Sequence, residues 1–569
     1  MYRALFIGQG FNATDEGWLQ SLGARIAGGQ MPYRDFYFGS PPVSIYEQAA
    51  LIKIFGDGYG ILASRWVFSV EVALSSVLAY LVVLRYARPT LAFLVSLPTC
   101  FFTVILYYFT NYSYDGEVLA LLSVALLVHS SPRRWPVAVL GGLAGSLSFM
   151  AKPTFLGLAG IVLIALAANV VAARRSGDQS LSPAVDRPAA IAYAGGFALG
   201  IALVLAYFAT AGEAGDFVNK AFFLPRQTYP VGLGFVVWQD MPQWMLAVPN
   251  IAGYLAALLV GVLLLRVTGI PDWIRLAAAA ALMLLLLYRA SPSAAGGLPT
   301  ARQDAVLLVA IGTLWLLNVA AIVLAVVRPP ALRGDLFPPE LPVIAFGLQY
   351  IGQYNAAGVR FSYYGTFLSI PVALLLLRRL ARAPVWRWGD LGVAAPIYGA
   401  ALLGMAIALT GIVDTHGVVY RDAPRSTLTS TFAAPLLAGV SSTPANTQQV
   451  DGVIDAVDSR TGPGDPILVF PDFPALYYLT GRRNPTRIGW FETPQLSLQQ
   501  ADEVVRDLQR DPPKVVVVQT YDEGDFLRAG PPLDYASIPV LRPIYTYVID
   551  NYTLVDRVGD IQIFVPKST

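Results

Sequence analysis

Two short acidic runs carry most of the chemistry this chain offers. Asp15-Glu16-Gly17 stands ahead of a long polar loop, and Asp115-Gly116-Glu117 opens a later apolar run. Only 13% of the 569 residues are charged, and a carboxylate kept beside hydrocarbon is expensive unless it works or is paired. A hydroxyl is a poor nucleophile at neutral pH. A positioned carboxylate that takes its proton contributes roughly 10²–10⁴-fold to a displacement. Asp15 is the candidate base. The competing assignment for Asp15 or Glu16 is capping of the helix that follows, a position both residue types favour. Asp115 and Glu117 face the same choice, since a helix macrodipole alone attracts carboxylates to a first turn.

If the leaving group is a phosphate, the site also needs cations. Arg suits this because its planar fork donates two hydrogen bonds to one anion. Arg360 opens one apolar run and is the first candidate. Lys152 ends another and is the second. Snorkelling to the interface is the alternative for both. Arg34 and Asp35 are placed to pair with each other. Glu71 lies in the middle of ILASRWVFSVEVALSSVLAYLVVL, and its depth there predicts a packing role away from the loops. A single cysteine, Cys100, excludes a disulfide framework within the chain, and with only two histidines no ordinary zinc site is expected. No cofactor is expected. A divalent cation held by carboxylates is the one metal class these residue types leave open.

The elements that must position these groups are membrane spans. Hydrophobic residues make up 55% of the chain, and the mean hydropathy is +0.55. Runs long enough to cross hydrocarbon, about 20 residues each, fall at 61–84, 90–110, 115–130, 135–151, 154–173, 188–210, 243–266, 270–289, 304–327, 338–356, 361–379 and 391–413. With the loop 11–60 placed outside, every opposite connection is basic: Arg85/Arg88, Arg133/Arg134, Arg174/Arg175/Arg187, Arg266/Arg275, Arg328/Arg333 and Arg378/Arg379/Arg382/Arg387. The positive-inside rule therefore puts both acidic runs, and everything after 413, away from the cytoplasm. About 12 spans then leave the N-terminus outside with no signal peptide. Met1–Gly10 reads as the end of a first helix that is otherwise missing, so a truncated start is expected. Residues 41–56 are too short to span, and Ile45, Ala49, Ile52 and Phe55 share a helical face, which predicts a helix lying in the interface. Residues 213–228 repeat that character.

The composition changes after residue 413. The expected organisation is a bundle over 1–422, a Ser/Thr/Pro/Ala-rich linker over 423–447 and a soluble α/β domain over 448–569. Asp465–Phe470, Lys514–Gln519 and Ile561–Pro566 read as strands, and 495–510 as a helix. No basic tract supports nucleic-acid binding.

The first loop, TDEGWLQSLGARIAGGQMPYRDFYFGSPPVSIYEQAALIKIFG, resembles the first extracytoplasmic loop of the GT-C superfamily of integral membrane glycosyltransferases. The similarity is to the branch of bacterial protein-mannosyltransferase-like and aminoarabinose-transferase-like enzymes. It rests on Asp15-Glu16, on Gly29-Gln30-Met31-Pro32-Tyr33-Arg34-Asp35-Phe36, and on Asn111–Asp115, Ala151-Lys152-Pro153, Arg360-Phe361 and Phe473–Arg482. Pro153 departs from the Gly that many relatives carry after the lysine. The resemblance implies a polytopic α-helical bundle with a C-terminal soluble α/β domain. Its implied activity is inverting transfer of a sugar from a polyprenyl-phosphate donor to a hydroxyl on a glycan, lipid or protein. It gives Asp15 the base role and makes Asp115 a group that positions the acceptor or modulates Asp15. Tyr33, Arg34, Glu16, Glu117, Lys152 and Arg360 are the expected substrate-binding groups. The rival from another class is a transporter or flippase for a lipid-linked glycan, for which midplane ionisable groups and internal repeats are the signs. A polymerase or ligase using a lipid-diphosphate glycan is a third reading. The Ala and Arg-over-Lys bias points to a GC-rich genome and a bacterial plasma membrane.

Overall fold

The computed structural model describes residues 5–56, 60–100, 109–130, 134–176, 184–225, 314–315, 317–327, 337–355, 358–359, 365–382, 419, 421–491, 496–520 and 532–567. The expected spans 243–266, 270–289 and 391–413 lie outside the described residues, as do residues 304–313 and 316 of the expected span 304–327 and residue Arg360.

The chain opens with α1 (Asp15–Ala27) and α2 (Val43–Phe55), followed by the apolar helix α3 (Ile61–Leu84). Next come α4 (Pro89–Ser96), α5 (Tyr112–Val128), α6 (Trp135–Ala151), α7 (Gly157–Ser176) and α8 (Arg187–Thr210). Three described helical stretches are long and apolar enough to cross a membrane: Ile61–Leu84, Pro153–Arg175 and Arg187–Thr210. At about 1.5 Å per residue, the 24 residues of α3 give roughly 36 Å of length. Leu74, Val77, Leu163, Ile164, Ile191 and Leu203 are exposed along these helices, as lipid-facing residues must be. The number of spans expected from sequence is not established by the described residues.

Small residues set the helix spacing. A Cβ on Gly142 would lie 2.1 Å from the Tyr193 carbonyl, and one on Gly196 2.1 Å from that of Val139. The backbones of α6 and α8 therefore touch, the way helices associate where lipid offers no hydrophobic drive. Between α6 and α7 the chain breaks at Lys152, which is extended (φ −142, ψ 129). Pro153 enforces this by excluding the residue before it from helical geometry.

Beyond α8 lie α9 (Ala214–Val218), one π turn (Asn219–Phe223), α10 (Leu317–Val327), α11 (Glu340–Gln353) and α12 (Thr366–Arg382). Two-residue strands β1 (Tyr354–Asn355) and β2 (Gly358–Val359) pair between α11 and α12. Buried Glu340 ties this part to the basic side of the bundle. Its carboxylate accepts from the Ala184 and Val185 amides (2.7 and 2.8 Å), Asn169 (2.7 Å) and the Tyr86 hydroxyl (2.8 Å).

Residues 423–447, expected as a linker, form 3₁₀ turns at Arg425–Thr427 and Pro435–Leu437. Strands β3 (Ser430–Thr431) and β4 (Ser441–Ser442) pair within it. Phe432, Leu437 and Val440 are buried, so apolar contact holds the segment down despite its polar composition. Then come α13 (Pro444–Asp458), β5 (Ile467–Phe470), α14 (Ala475–Thr480), α15 (Leu498–Arg510), β6 (Val515–Gln519), α16 (Arg542–Asn551), β7 (Tyr552–Val558) and β8 (Ile561–Pro566). The sheet order is β5-β6-β8-β7, with β5 and β6 parallel and the other pairs antiparallel. The parallel strands β5 and β6 are apolar over Ile467–Phe470 and 515–518 because both faces are covered. Ile467, Val469, Val515 and Val517 face one core with α13 and α14, while Leu468, Phe470, Val516 and Val518 face the other with α15 and α16.

The first of those cores also contains Phe11, Ala13 and Ile61. The amide of Gly10 donates to Ser441 O (2.8 Å) and that of Ser441 to Gly8 O (2.7 Å). The sheet module and the N-terminal loop are thus packed on one another.

Candidate active site

Asp15 occupies the first turn of α1. Capping of that turn falls to Asn12, whose Oδ1 accepts from the amides of Thr14 (3.1 Å) and Asp15 (2.9 Å) and from the Thr14 hydroxyl (2.9 Å). This relieves the orphan N–H groups of the helix start. The Asp15 carboxylate makes no bond to backbone among the described residues, so the capping role weighed for it from sequence belongs to Asn12. Its Oδ2 instead lies 3.2 Å from Nε of Arg421, with the Thr14 hydroxyl at 3.4 Å and the Asn12 amide at 3.5 Å. The side chain stays 26% exposed, which leaves one edge open to a reactant.

Arg421 adopts φ 57, a left-handed conformation that costs a non-glycine residue of order 1–3 kcal/mol and persists only where surroundings impose it. Its guanidinium carbon lies 5.8 Å from the Trp490 ring centroid. Trp490 is anchored by its indole N–H to Asp472 (2.9 Å) and meets Trp18 at 5.5 Å, which in turn meets Phe38 at 5.4 Å. The carboxylate, the guanidinium and an aromatic wall therefore stand together, drawn from α1, the segment after the bundle and the sheet module. The sequence singled out neither Arg421 nor Trp490, and no local motif marks them.

Glu16 points the other way. It is 1% exposed, and both its oxygens are held by Arg65 at 2.9 and 2.8 Å. Arg65 also donates to the carbonyls of Ile7 (2.7 Å) and Gly10 (2.8 Å). Burial raises the Glu16 carboxyl above its ordinary value, and Arg65 only partly offsets this. Tyr33 is fully buried at φ 70 in the turn of the first loop, with its hydroxyl donating to Ser40 O at 2.7 Å. Arg34 and Asp35 form the two-toothed pair anticipated for them, at 2.9 and 2.8 Å, on the surface. These contacts shape the loop.

Asp115 lies in the first turn of α5, which Asn111 caps by accepting from the Ser113 amide at 2.9 Å. It is 2% exposed and is grouped with Glu47 of α2 and Glu71 of α3, ligand oxygens of all three lying within 4.8 Å of one another. Asp15 is not in that group. The expectation that Glu71 sits far from the acidic runs is therefore corrected. Depth along α3 was a poor guide because α5 begins beside the middle of α3, as the Phe68–Tyr114 ring contact at 4.7 Å shows. Burial and the neighbouring Asp115 push Glu47 well above the usual carboxyl range.

Glu117 is buried and accepts from the Gly365 amide at 2.7 Å, where φ +80 and a Cβ clash with the Leu348 carbonyl require glycine. Lys152, also buried, supplies the charge facing Glu117 and donates to Gly352 O at 3.2 Å. The two thereby join α5, the α6–α7 break and the turn between α11 and α12. Asp15, the Asp115 group and the Glu117–Lys152 pair thus occupy three distinct settings.

A cleft of about 670 Å³ lies between α1, the end of α2 and the sheet module, lined by Arg25, Gln30, Ile52, Tyr478, Arg482 and Asn484, among others. That volume is within the range of ligand pockets.

No protein-family model and no curated protein matches the chain. Among solved structures, the apo oligosaccharyltransferase of Archaeoglobus fulgidus is similar at a TM-score of 0.46 and 14% identity, over 90% of this chain and 66% of its own. The same archaeal protein with an inhibitory peptide and a dolichol-phosphate gives 0.42 and 12%, over 89% and 65%. ArnT from Cupriavidus metallidurans in the apo state gives 0.43 and 12%, over 99% of this chain and 95% of its own. The chain thus spans just under two thirds of the archaeal protein's length.

Proposed function

We propose that this protein is an inverting glycosyltransferase that moves a sugar from a polyprenyl-phosphate donor to a hydroxyl acceptor on the extracytoplasmic side. The observation that carries this reading is the Asp15–Arg421 pair: a carboxylate free of capping duty, partly open, and oriented by a guanidinium at 3.2 Å. In the reaction the acceptor hydroxyl gives its proton to Asp15 while its oxygen bonds to the anomeric carbon. The bond from that carbon to the lipid phosphate breaks, and the phosphate leaves with the electron pair. A single displacement inverts the centre. Arg421 steers Asp15, and Arg360 receives the phosphate charge. Asp115 acts from within the bundle, setting how α2, α3 and α5 meet beneath the loop.

Carboxylates inside the bundle also favour a second reading, a cation-coupled transporter of a lipid-linked glycan. One experiment separates the two. The full chain in liposomes is given a polyprenyl-phosphate sugar and membrane-extracted acceptors, and products are read by mass spectrometry. Covalent transfer with free polyprenyl phosphate supports the enzyme. Movement of intact donor across the bilayer without transfer supports transport.

A further inference from the structure

The group beneath the first loop is not explained by base catalysis at Asp15. Glu47, Glu71 and Asp115 come from three helices, α2, α3 and α5, and their oxygens lie within 4.8 Å of each other. No ion pair to any of them occurs among the described residues. Both oxygens of Asp115 and Oε2 of Glu71 are buried without a hydrogen-bond partner. A second observation comes from outside the acidic set. The hydroxyl of Ser44, 1% exposed, is also buried without a partner. It lies alongside Asp115, though not with hydrogen-bond geometry. Ser44 and Glu47 sit three residues apart on α2 and so share a face. Buried polar groups are almost always satisfied, and three carboxylates within 4.8 Å of one another beside an orphaned hydroxyl describe a ligand shell.

We propose that Glu47, Glu71, Asp115 and Ser44 form a binding site for one divalent cation of the hard, oxygen-seeking class. Carboxylate and hydroxyl donors with no nitrogen or sulfur suit Mg²⁺, Mn²⁺ or Ca²⁺, with water completing the shell. The ion offsets two of three negative charges and ties α2 to the spans. Asp15 takes no part: Glu71 is six residues beyond Arg65, the partner of Glu16, or about 9 Å further along α3. The site does not rest on the glycosyltransferase reading, because its test measures binding.

The test uses the full chain, stripped with chelator and held in nanodiscs. Mn²⁺ binding is followed by the loss of free-ion paramagnetic signal, and thermal unfolding is recorded with and without Mg²⁺, Mn²⁺ and Ca²⁺. One Mn²⁺ per chain is expected, displaced by Mg²⁺ or Ca²⁺. At saturating ion the unfolding temperature should rise by several degrees, as ligand linkage requires. Glu71→Gln and Asp115→Asn should lower Mn²⁺ affinity at least tenfold and abolish the thermal response, while Asp15→Asn keeps both. Ser44→Ala, which removes only a neutral ligand, should weaken binding less. Absence of Mn²⁺ binding by the unmodified chain at millimolar ion overturns the proposal. So does unchanged binding in both Glu71→Gln and Asp115→Asn, or loss of binding in Asp15→Asn.

Discussion

Adjacent residues of the first acidic run do opposite work. Asp15 is open on one edge and held by Arg421, whereas Glu16 is sealed against Arg65. Removing one member of a buried ion pair leaves the other charge uncompensated, at about 3–5 kcal/mol. Glu16→Gln should therefore lower the unfolding temperature markedly and lose activity through misfolding, while Asp15→Asn melts within about a degree of the parent. Thermal unfolding of the two variants side by side checks this. The acidic run itself was legible in the sequence as chemistry-bearing, but the division of labour was not. It depends on Arg65 and Arg421, which lie 49 and 406 residues away from their partners.

At the scale of elements, the sequence carried most where burial is uniform. The bounds expected for α3 and α6 are those observed, and β5, β6 and β8 fall within a residue or two of their apolar runs, because unbroken hydrophobicity marks them directly. Strand β7 escaped notice because it alternates buried and exposed positions and carries Asp556 and Arg557. The linker reading ran into α13, whose Thr443 cap and Pro444 first position are helix-start signals within an otherwise loop-like composition. The junction of that segment with the N-terminus makes a pH prediction. Asp422 accepts from the Phe11 amide at 2.7 Å and the Ser442 hydroxyl at 2.9 and 2.7 Å. Burial nevertheless pushes its carboxyl up to about 6, from an ordinary value of 3.8. The folded state then holds a proton that the unfolded chain releases earlier. Its stabilising contribution is complete below about pH 4 and is lost as pH rises through 6, on the order of 3 kcal/mol in all. Asp422→Asn should flatten that part of the stability profile in chemical unfolding at pH 4 to 7. An unchanged slope would assign the pH dependence to other groups.

At the scale of the whole molecule, the sheet module is welded to the first loop. Besides the shared core, Arg25 donates to Thr486 O at 3.0 Å and Tyr37 N to Arg487 O at 2.8 Å. In a Cys100→Ala background, Arg34→Cys and Arg510→Cys should both react with a membrane-impermeant thiol reagent on intact cells. Arg88→Cys, in a basic connection, should react only after permeabilisation. Reaction of Arg88→Cys on intact cells would reverse the orientation. The bundle, the loop and the module together present Asp15 at their junction, and the account stands or falls on what that carboxylate does. The direct measurement is sugar transfer from a polyprenyl-phosphate donor by Asp15→Asn in liposomes, with folding verified by thermal unfolding. Loss of the base predicts a fall of about 10²-fold or more with a folded protein. Near-normal transfer by a folded Asp15→Asn variant would contradict the assignment of Asp15 as the base.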